Sequence, residues 1–431
     1  MRWSAEPGLC PRGSVRVPGD KSIAHRALIL AALADGESEL VNLPDGQDVA
    51  ATTACLRQLG CDIRSTAHAT HIVGVGLSGL SRPLCPLDCG NSGTTMRLLA
   101  GVLAGQPFES VLEGDASLGA RPMERVAIPL RLMGAEVTTQ AGCAPLRVRG
   151  GALTGISYET PVTSAQLKSC VLLAGLFADG QTTVTEAGRS RDHSERLLRA
   201  VGVDVEGCAD TGGVTLSRPI CLRSMTGVIP GDISSAAFWL AAAAPVVGAD
   251  LQLMNIGWNP SRRAFVELLV EWGADAEVSE GAPWHGEPTA SLHVRGVPGG
   301  LSGGVLETDR VADMIDEIPI LALLGAHSKT GFRVRGAHEL RFKESDRIAT
   351  TVGAIRALGG VAEEFEDGMT VPGGQSFSGG TVVSHGDHRI ALAAAAIAPL
   401  VKGRVEIDGA EVADVSYPGF LRELTALGGA L

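Results

Sequence analysis

One short pattern recurs six times along the chain: a helix-like segment ends, a glycine follows, and an extended segment begins. The repeated glycines are Gly60, Gly134, Gly202, Gly273, Gly359 and Gly428, and successive ones are separated by 74, 68, 71, 86 and 69 residues. A glycine after a helix commonly takes the left-handed conformation that ends the helix. Six copies at nearly constant spacing predict six similar repeats, each with a helix, a glycine cap and a strand.

The length of each repeat leaves room for a second helix, which we predict at 94–103, 165–177 and 235–246. The spacing exceeds the roughly 20–50 residues of a solenoid repeat. Six repeats grouped three and three therefore predict two pseudo-symmetric α/β domains. A single large doubly wound domain is the alternative, but it expects helices and strands to alternate singly.

The sequence Pro-Gly-Asp occurs at 18–20 and again at 230–232, three repeats later. A chain that folds into two similar domains would repeat such a motif in each of them. We therefore predict that the chain crosses between the domains near 18–21 and 230–232. The predicted domains are 19–231 and a second one formed by 1–18 with 232–431.

Composition excludes several classes of protein. The chain has 431 residues, of which 45% are hydrophobic and 19% charged, as in globular proteins. A net charge of −12 argues against non-specific nucleic-acid binding. The longest apolar runs are too short for a bilayer, and the first residues lack a signal-peptide core, so we expect a cytoplasmic protein without membrane contact. Nine scattered cysteines indicate free thiols rather than a zinc site.

Polar loops that lead into predicted helices carry most of the cations. Residues 14–17 predict a strand and 23–34 a helix, and the Lys21 loop joins them. The start of a helix attracts anions, and each charge-assisted hydrogen bond contributes about 1.5–3 kcal/mol. Together such junctions would hold two small polyanions despite the negative net charge. The cations at these junctions are Lys21, Arg26, Arg97, Arg121, Lys343, Arg347 and Arg389.

Two acidic stretches are candidates for proton transfer. In 309–319, helical spacing would place Asp313, Asp316 and Glu317 on one face. A divalent metal site is disfavoured because histidines are absent and the spacing fits no known loop. Asp316 precedes an apolar segment, so we expect it to be half-buried, with a raised pKa suited to a base. In 341–347, Lys343 and Arg347 would share a helical face beside Glu344.

The cluster at 190–195 contains serine, histidine and aspartate close together in sequence. Residues so near each other rarely form a catalytic triad, and no nucleophile elbow is present. We therefore do not predict a hydrolase.

Four motifs together resemble the EPSP synthase family of enolpyruvyl transferases: PGDKSIAHR at 18–26, GNSGTTMR at 90–97, KESDR at 343–347 and DHR at 387–389. The resemblance implies two domains, each of three βαβαββ repeats, with the active site in the inter-domain cleft and both crossovers acting as hinges. It implies transfer of the enolpyruvyl group of phosphoenolpyruvate to the 5-hydroxyl of shikimate 3-phosphate, with release of phosphate. It implies no metal or organic cofactor, a monomer, and inhibition by glyphosate.

The resemblance also assigns residues. Asp316 would take the proton of the attacking hydroxyl, Glu344 would protonate the methylene carbon, and Lys21 would assist catalysis. The residues implied for phosphoenolpyruvate are Lys21, Gly93, Arg121, Gln166, Arg347 and Arg389. Those implied for shikimate 3-phosphate are Lys21, Ser22, Arg26, Ser164, Ala165 through its backbone, Gln166, Arg191, Asp316 and Lys343, with His193 as an alternative to Arg191 at the phosphate.

Three positions depart from the family pattern. Ala24 and Ala165 stand where family members carry serine, and 414–418 lacks a lysine that many members use for phosphoenolpyruvate. The nearest alternative is the sister enolpyruvyl transferase acting on UDP-N-acetylglucosamine. That enzyme has a Lys-Asn pair and a loop cysteine, whereas this chain has Lys21-Ser22 and no cysteine in 114–123. A non-catalytic anion-binding protein of the same fold is a further alternative.

Overall fold

The computed structural model describes residues 1–208 and 212–428, without the side chain of Cys208. The chain forms two compact units. Unit 1 contains Met1–Pro18, Gly231–Ala282 and the described residues from Pro288 onward; unit 2 contains Gly19–Pro230 and Pro283–Glu287. The second predicted domain extends to residue 431. Its last three residues, from Gly429 onward, lie outside the described residues.

The segment Pro283–Glu287 belongs to unit 2, although the sequence places it within the second predicted domain. Side-chain contacts rather than a sequence pattern hold it there. Trp284 Nε1 donates a hydrogen bond to the Thr226 carbonyl at 3.1 Å. Glu287 Oε1 lies 2.8 Å from His193 Nδ1, and both side chains are buried. Such contacts between residues distant in sequence leave no local signal.

Unit 1 begins with two short strands, β1 (Arg2–Ala5) and β2 (Arg12–Val15). The elements of unit 2 then follow in chain order: α1 (Lys21–Leu33), β3 (Asp35–Val41), α2 (Gln47–Gln58), β4 (Asp62–Ser65), β5 (Thr70–Val75), β6 (Leu87–Asp88), α3 (Gly93–Ala104), β7 (Glu109–Glu113), α4 (Ala116–Gly119), α5 (Glu124–Leu132), β8 (Glu136–Gln140), β9 (Cys143–Arg149), β10 (Leu153–Thr154), β11 (Ser157–Glu159), α6 (Ala165–Gly175), β12 (Ala178–Asp179), β13 (Gln181–Thr185), α7 (His193–Ala200), β14 (Val205–Cys208), β15 (Gly213–Ser217) and β16 (Thr226–Val228).

The chain then returns to unit 1 through α8 (Ile233–Ala243), β17 (Asp250–Gly257), α9 (Ala264–Glu271), β18 (Asp275–Glu280), β19 (Thr289–Arg295), β20 (Gly304–Leu306), α10 (Ile318–His327), β21 (Phe332–Val334), α11 (Arg347–Ala357), β22 (Glu363–Phe365), β23 (Gly368–Val371), β24 (Gly380–Val383), α12 (His388–Ala396), β25 (Val405–Asp408) and α13 (Phe420–Leu427). Short 3₁₀ helices lie at Thr308–Arg310, Ala312–Met314, His338–Phe342, Ala398–Leu400 and Ala410–Val415.

Six small sheets share one strand arrangement. Unit 2 contains β16-β3-β5-β4, β6-β7-β9-β8 and β11-β13-β15-β14, and unit 1 contains β2-β17-β19-β18, β20-β21-β23-β22 and β24-β25-β1. In each sheet the first pair is parallel and the remaining pairs are antiparallel. A parallel pair needs a crossover connection, which a helix supplies. The six sheets correspond to the six repeats, and the α/β fold class is confirmed.

The repeat glycines end their helices as predicted in five of six cases. Their φ angles lie between 89° and 108° for Gly60, Gly134, Gly202, Gly273 and Gly359. At Gly428 the prediction is wrong, because its φ is −89°. Its N–H donates to the Leu424 carbonyl at 2.9 Å, so this residue continues the helical turn instead of reversing it.

Three helices form the centre of each unit. In unit 2, α1, α3 and α6 are buried along nearly their whole length, and in unit 1 the same holds for α8, α10 and α12. A helix that is apolar on all sides is typical of a protein core. Within the described residues, no helix is both long and apolar enough to span a membrane.

The three central helices of unit 2 each begin where a side chain caps them. Asp20 accepts a hydrogen bond from the Ile23 amide, Ser92 from the Thr95 amide and Ser164 from the Leu167 amide. Such caps satisfy amides that have no partner inside the helix. The predicted helices at 94–103, 165–177 and 235–246 are confirmed, with ends shifted by up to three residues.

Candidate active site

In unit 2, Lys21 is the first residue of α1. Its ammonium nitrogen lies 2.9 Å from Asp48 Oδ2, and the lysine side chain is 30% exposed. The carbonyl of Asp48 accepts a hydrogen bond from Thr95 Oγ1 at 3.2 Å. Asp48 therefore links the start of α1 to the start of α3. This places a partly accessible cation next to a helix N-terminus, where an anion is favoured.

Gly93 opens α3 against two guanidinium groups. A β-carbon at this position would lie 2.8 Å from Arg97 Nη1 and 3.6 Å from Arg121 Nη1. Arg97 donates to Gln166 Oε1 at 2.6 Å, and Arg121 donates to Asn91 Oδ1 at 2.6 Å. The hydrogen-bond partners of both guanidinium groups in the described part of the chain are neutral oxygens.

Among the residues that the structure describes, Arg97 has no carboxylate as a hydrogen-bond partner. Burial lowers the pKa of Arg97 to about 10, and the fields of Arg125 and Arg121 act in the same direction. Clustered cations at a helix N-terminus stabilise a bound anion through charge-assisted hydrogen bonds. We refer to the cluster of Gly93, Arg97 and Arg121 as the candidate anion site of unit 2.

The start of α6 borders this candidate anion site. Gln166 accepts the bond from Arg97 and donates through Nε2 to Thr94 Oγ1 at 2.9 Å. Ser164 caps the helix, and its own amide donates to Glu186 Oε1 at 2.9 Å. Gln166 is thus held by α3 on one side, and Ser164 is held by the loop after β13.

Arg26 lies deeper than its helical position indicates. Its side chain donates to Ser194 Oγ at 2.7 Å and to Ser169 Oγ at 2.6 Å. It also donates to the carbonyl of Ser22 at 2.8 Å. Burial lowers the pKa of Arg26 to about 10. Arg26 joins α1 to α6 and α7, while Ser22 remains half-buried.

Two further predicted residues lie around the start of α7. Arg191 is half-buried in the loop that leads into the helix. His193 is the first residue of α7 and is 1% exposed, paired with the buried Glu287. Of the two alternatives for the phosphate, Arg191 is therefore the more accessible.

In unit 1, Arg347 is surrounded by carboxylates. Its side chain is 2% exposed and donates to Glu344 Oε2 at 2.6 Å, to Asp387 Oδ2 at 2.8 Å and to Asp316 Oδ1 at 3.3 Å. Burial opposes its charge, but the fields of Glu344, Asp387 and Asp316 outweigh burial and raise the pKa of Arg347. Lys343 Nζ lies 3.8 Å from Asp316 Oδ1. Two cations thus lie beside Asp316, whose side chain is 18% exposed and therefore half-buried as predicted.

Arg389 lies at the start of α12 and is held by a buried acid. Its Nη1 is 3.6 Å from Glu317 Oε1, and its guanidinium lies 5.8 Å from the centre of the Phe238 ring. Glu317 also contacts Arg262 Nη2 at 3.4 Å. The amide of Arg389 donates to Asp387 Oδ1 at 2.8 Å. Asp387 therefore positions Arg347 and Arg389 together.

Two predictions of helical faces are wrong. Asp313 lies in the 3₁₀ helix Ala312–Met314, and α10 begins only after Glu317, so 309–319 is not one α-helix. Lys343 ends the 3₁₀ helix His338–Phe342 and Arg347 begins α11, so these residues do not share a helix. Pro319 suits the first turn of α10, because it has no N–H to donate and its ring would clash with a preceding helical turn.

A family profile described as EPSP synthase (3-phosphoshikimate 1-carboxyvinyltransferase) matches residues 10–424. This chain belongs to the EPSP synthase family. A relative from Acidithiobacillus ferrooxidans, named 3-phosphoshikimate 1-carboxyvinyltransferase, is 49% identical over 421 residues, covering 97% of this chain and 96% of the relative. A relative of the same name from Koribacter versatilis is 47% identical over 414 residues, covering 96% of each.

A solved structure of EPSP synthase from Acinetobacter baumannii superposes with a TM-score of 0.89 and 40% sequence identity, covering 100% of this chain and 98% of that one. The resemblance of the four motifs to the EPSP synthase family is therefore confirmed. Within the described residues, no group of three or more His, Cys, Asp or Glu side chains could hold a metal ion.

Sequence reasoning missed several residues that hold the site of this family member together. Asp48 pairs with Lys21, Asp387 with Arg347, and Glu317 with Arg389. Asp387 lies inside the DHR motif, so its position beside Arg389 was a usable signal. Asp48 and Arg262 carry no local pattern that distinguishes them from surface residues.

Proposed function

We propose that this chain transfers the enolpyruvyl group of phosphoenolpyruvate to the 5-hydroxyl of shikimate 3-phosphate and releases phosphate. The reaction is addition–elimination through a tetrahedral intermediate. The family membership supports this reaction, since the relatives carry the name of this activity over almost their whole length. The residue roles below are those that the family resemblance implies, and the contacts within each unit support them.

The two units carry different charge arrangements, and we assign them different tasks. In unit 2, Arg97 and Arg121 have neutral oxygen partners, which suits binding of phosphate and carboxylate groups. In unit 1, Lys343, Arg347 and Arg389 are paired with carboxylates, which suits proton transfer. Unit 2 is thus the main source of anion binding and unit 1 of acid–base chemistry.

The binding roles that we propose are those that the family resemblance implies. Phosphoenolpyruvate is held by Lys21, the Gly93 backbone, Arg121, Gln166, Arg347 and Arg389. Shikimate 3-phosphate is held by Lys21, Ser22, Arg26, Ser164, the Ala165 backbone, Gln166, Arg191, Asp316 and Lys343.

In the addition step, the 5-hydroxyl oxygen attacks the central carbon of phosphoenolpyruvate. Asp316 accepts the hydroxyl proton, and Glu344 donates a proton to the methylene carbon, which becomes a methyl group. The acid and the base must be separate groups because they act at opposite ends of the same addition. Lys343 and Arg347 lie beside the carboxylate of Asp316.

In the elimination step, Glu344 takes a proton back from the methyl group, and the carbon–oxygen bond to phosphate breaks. The proton held by Asp316 leaves with the phosphate, so both carboxyl groups return to their starting state. The product carries the enolpyruvyl group as an ether on the former 5-hydroxyl oxygen.

One observation carries the proposal: Arg347 connects Glu344, Asp316 and Asp387 through one guanidinium. The predicted acid and the predicted base therefore share a single buried cation. A non-catalytic anion-binding protein would have no need of two carboxylates beside its binding cations.

The test is to mix the protein with phosphoenolpyruvate and shikimate 3-phosphate and measure phosphate release. We expect release only when both are present. Release with UDP-N-acetylglucosamine in place of shikimate 3-phosphate would assign the chain to the sister reaction. No release with either acceptor would favour the non-catalytic alternative.

Glyphosate inhibition, a monomeric state and a cytoplasmic location extend the proposal. Glyphosate carries a phosphonate and a carboxylate, which suit the two arginines beside Gly93. One chain contains every residue assigned above, so no partner subunit is required. Activity per chain that stays constant on dilution, with a monomer mass in sedimentation, would support the monomer.

A further inference from the structure

A buried ion cluster lies beneath the start of α6. Lys168 on this helix is 1% exposed, and its Nζ lies 2.9 Å from Glu186 Oε2 and 2.8 Å from Glu195 Oε1. The two carboxylates are 6% and 0% exposed. Apart from this ion pair, neither oxygen of Glu195 has a hydrogen-bond partner among the residues that the structure describes. The lysine is thus the direct counter-ion of Glu195.

The same cluster holds a segment assigned to shikimate 3-phosphate. Glu186 Oε1 accepts the Ser164 amide at 2.9 Å, and its Oε2 accepts Ser190 Oγ at 2.6 Å. The amide of Lys168 itself donates to the Ser164 carbonyl at 3.0 Å. Ser164 is therefore fixed at its amide by Glu186 and at its carbonyl by the helix that carries Lys168.

The next residue, Ser169, extends the connection to α1 and α7. Its hydroxyl contacts Arg26 Nη2 at 2.6 Å and Ser194 Oγ at 2.7 Å. The cluster therefore adjoins the three segments that carry Arg26, Ser164 and Arg191.

Charge in this region is balanced. Lys168 and Arg26 supply two positive charges, and Glu186 and Glu195 supply two negative ones. Arg26 and Arg196 both interact electrostatically with Glu195. The other charged groups around Arg26 are Asp20, Arg191 and Glu287, the last paired with His193. Without Lys168, two buried carboxylates would face each other without their shared cation, an arrangement that costs several kcal/mol.

We propose that Lys168 is a positioning residue for the phosphorylated hydroxyl substrate, acting through Glu186 on Ser164. This inference rests on the proposed function. Lys168 itself lies too deep to contact the substrate. Its charge holds Glu186 in place, and Glu186 sets the position of the Ser164 amide and of the α6 start.

Replacing Lys168 by methionine keeps an unbranched side chain, one heavy atom shorter, and removes its charge. We expect K168M to raise the KM for shikimate 3-phosphate by about tenfold or more, while kcat changes by less than about threefold. As pH falls, one of the two glutamates takes up a proton, because two buried carboxylates cannot both stay charged without a cation. The KM of K168M should therefore return toward the parent value at acid pH.

A second substitution tests the charge explanation directly. Glu195→Gln in the K168M background restores neutrality without restoring the lysine. We expect the double variant to recover most of the lost affinity for shikimate 3-phosphate at neutral pH and to lose the additional pH dependence.

Leu172→Ala is the matched control, because Leu172 is buried one turn further along the same helix. It should lower the melting temperature without changing the KM or its pH dependence. A folded K168M with the parent KM and pH profile would overturn the proposal, as would a double variant that recovers nothing.

If K168M does not fold, Glu186→Gln provides the test. The carboxylate of Glu186 accepts from both the Lys168 ammonium and the Ser164 backbone amide, whereas a glutamine side chain has only one accepting oxygen. An unchanged KM for shikimate 3-phosphate in that variant would also overturn the proposal. Absence of phosphate release by the parent protein would instead defeat the proposed function, and this inference with it.

Discussion

Lys21 combines two roles at the level of a single residue. It begins a buried helix, and its ammonium group reaches a partner 27 positions away in the chain. Because Asp48 also contacts Thr95, the lysine is held where α1 and α3 both begin. A substrate anion arriving there would meet a cation that is already oriented.

Lys21→Ala should lower kcat at least about a hundredfold, the loss typical of removing a group that stabilises transition-state charge. The fold should persist, since the side chain is 30% exposed and caps no helix. Phosphate release and circular dichroism check the two expectations. Lys329→Ala, at an exposed lysine, is the control. A well-folded, fully active Lys21→Ala variant would refute the assignment.

Gly93→Ala tests the candidate anion site of unit 2. The added methyl would lie 2.8 Å from Arg97 Nη1, so the end of that side chain would have to move. One methyl in a filled pocket changes discrimination by about 10–200-fold. We expect the inhibition constant of glyphosate to rise more than the KM for phosphoenolpyruvate. Equal sensitivity of variant and parent to glyphosate would contradict this prediction.

At the level of the element, the repeat depends on how each helix ends. Gly273 follows α9 with a φ of 91°, and nothing lies within 4 Å of the position where a β-carbon would stand. Its requirement for glycine is thus conformational and not steric. Gly353 lies inside α11 with an ordinary φ and the same open surroundings.

These two glycines form a matched pair in unit 1. Gly273→Ala should lower the free energy of unfolding by about 1–2 kcal/mol, the cost of a left-handed residue with a side chain. Gly353→Ala should raise it by about 0.5–1 kcal/mol, because alanine favours a helix interior. Urea denaturation of both variants measures the difference. Equal effects of the two substitutions would show that the cap is unimportant.

At the level of the whole molecule, each unit contains a histidine whose pKa is lowered by burial. Burial lowers the pKa of His25 in unit 2 from 6.5 to about 3, and that of His327 in unit 1 to about 4. The unfolded chain therefore binds protons below pH 6.5 that the folded chain does not. The contribution of these two histidines to the free energy of unfolding is therefore full above pH 6.5 and falls as the pH falls below it.

We expect each histidine to reduce the free energy of unfolding by about 1.4 kcal/mol per pH unit between pH 6.5 and its folded pKa. Calorimetry across this range checks the slope. His25→Gln should flatten the slope of unit 2, whereas His68→Gln, at an exposed position, should not. A slope unchanged in His25→Gln would contradict the prediction.

The sequence predicted the architecture because the signals for it are local. Helix caps and glycines after helices act within a few residues. The repeat became visible because one such local signal recurs from Gly60 to Gly359. The motif residues Lys21, Glu344 and Arg389 could likewise be named, because they lie in short motifs that resemble those of the family. The prediction that Asp313 and Glu317 share a helical face is wrong, because two 3₁₀ helices replace the α-helix that the spacing assumed.

By itself, then, the sequence determined the six repeats, the α/β class and the family. Only the tertiary structure decided which charges meet. Asp387 lies 40 positions from Arg347, and Asp48 lies 27 from Lys21. Whether a carboxylate meets a cation depends on burial and on contacts between distant segments, neither of which a local pattern records. Only the folded chain therefore shows that the cations of unit 1 are paired with carboxylates. It also shows that the partners of Arg97 and Arg121 among the described residues are neutral oxygens.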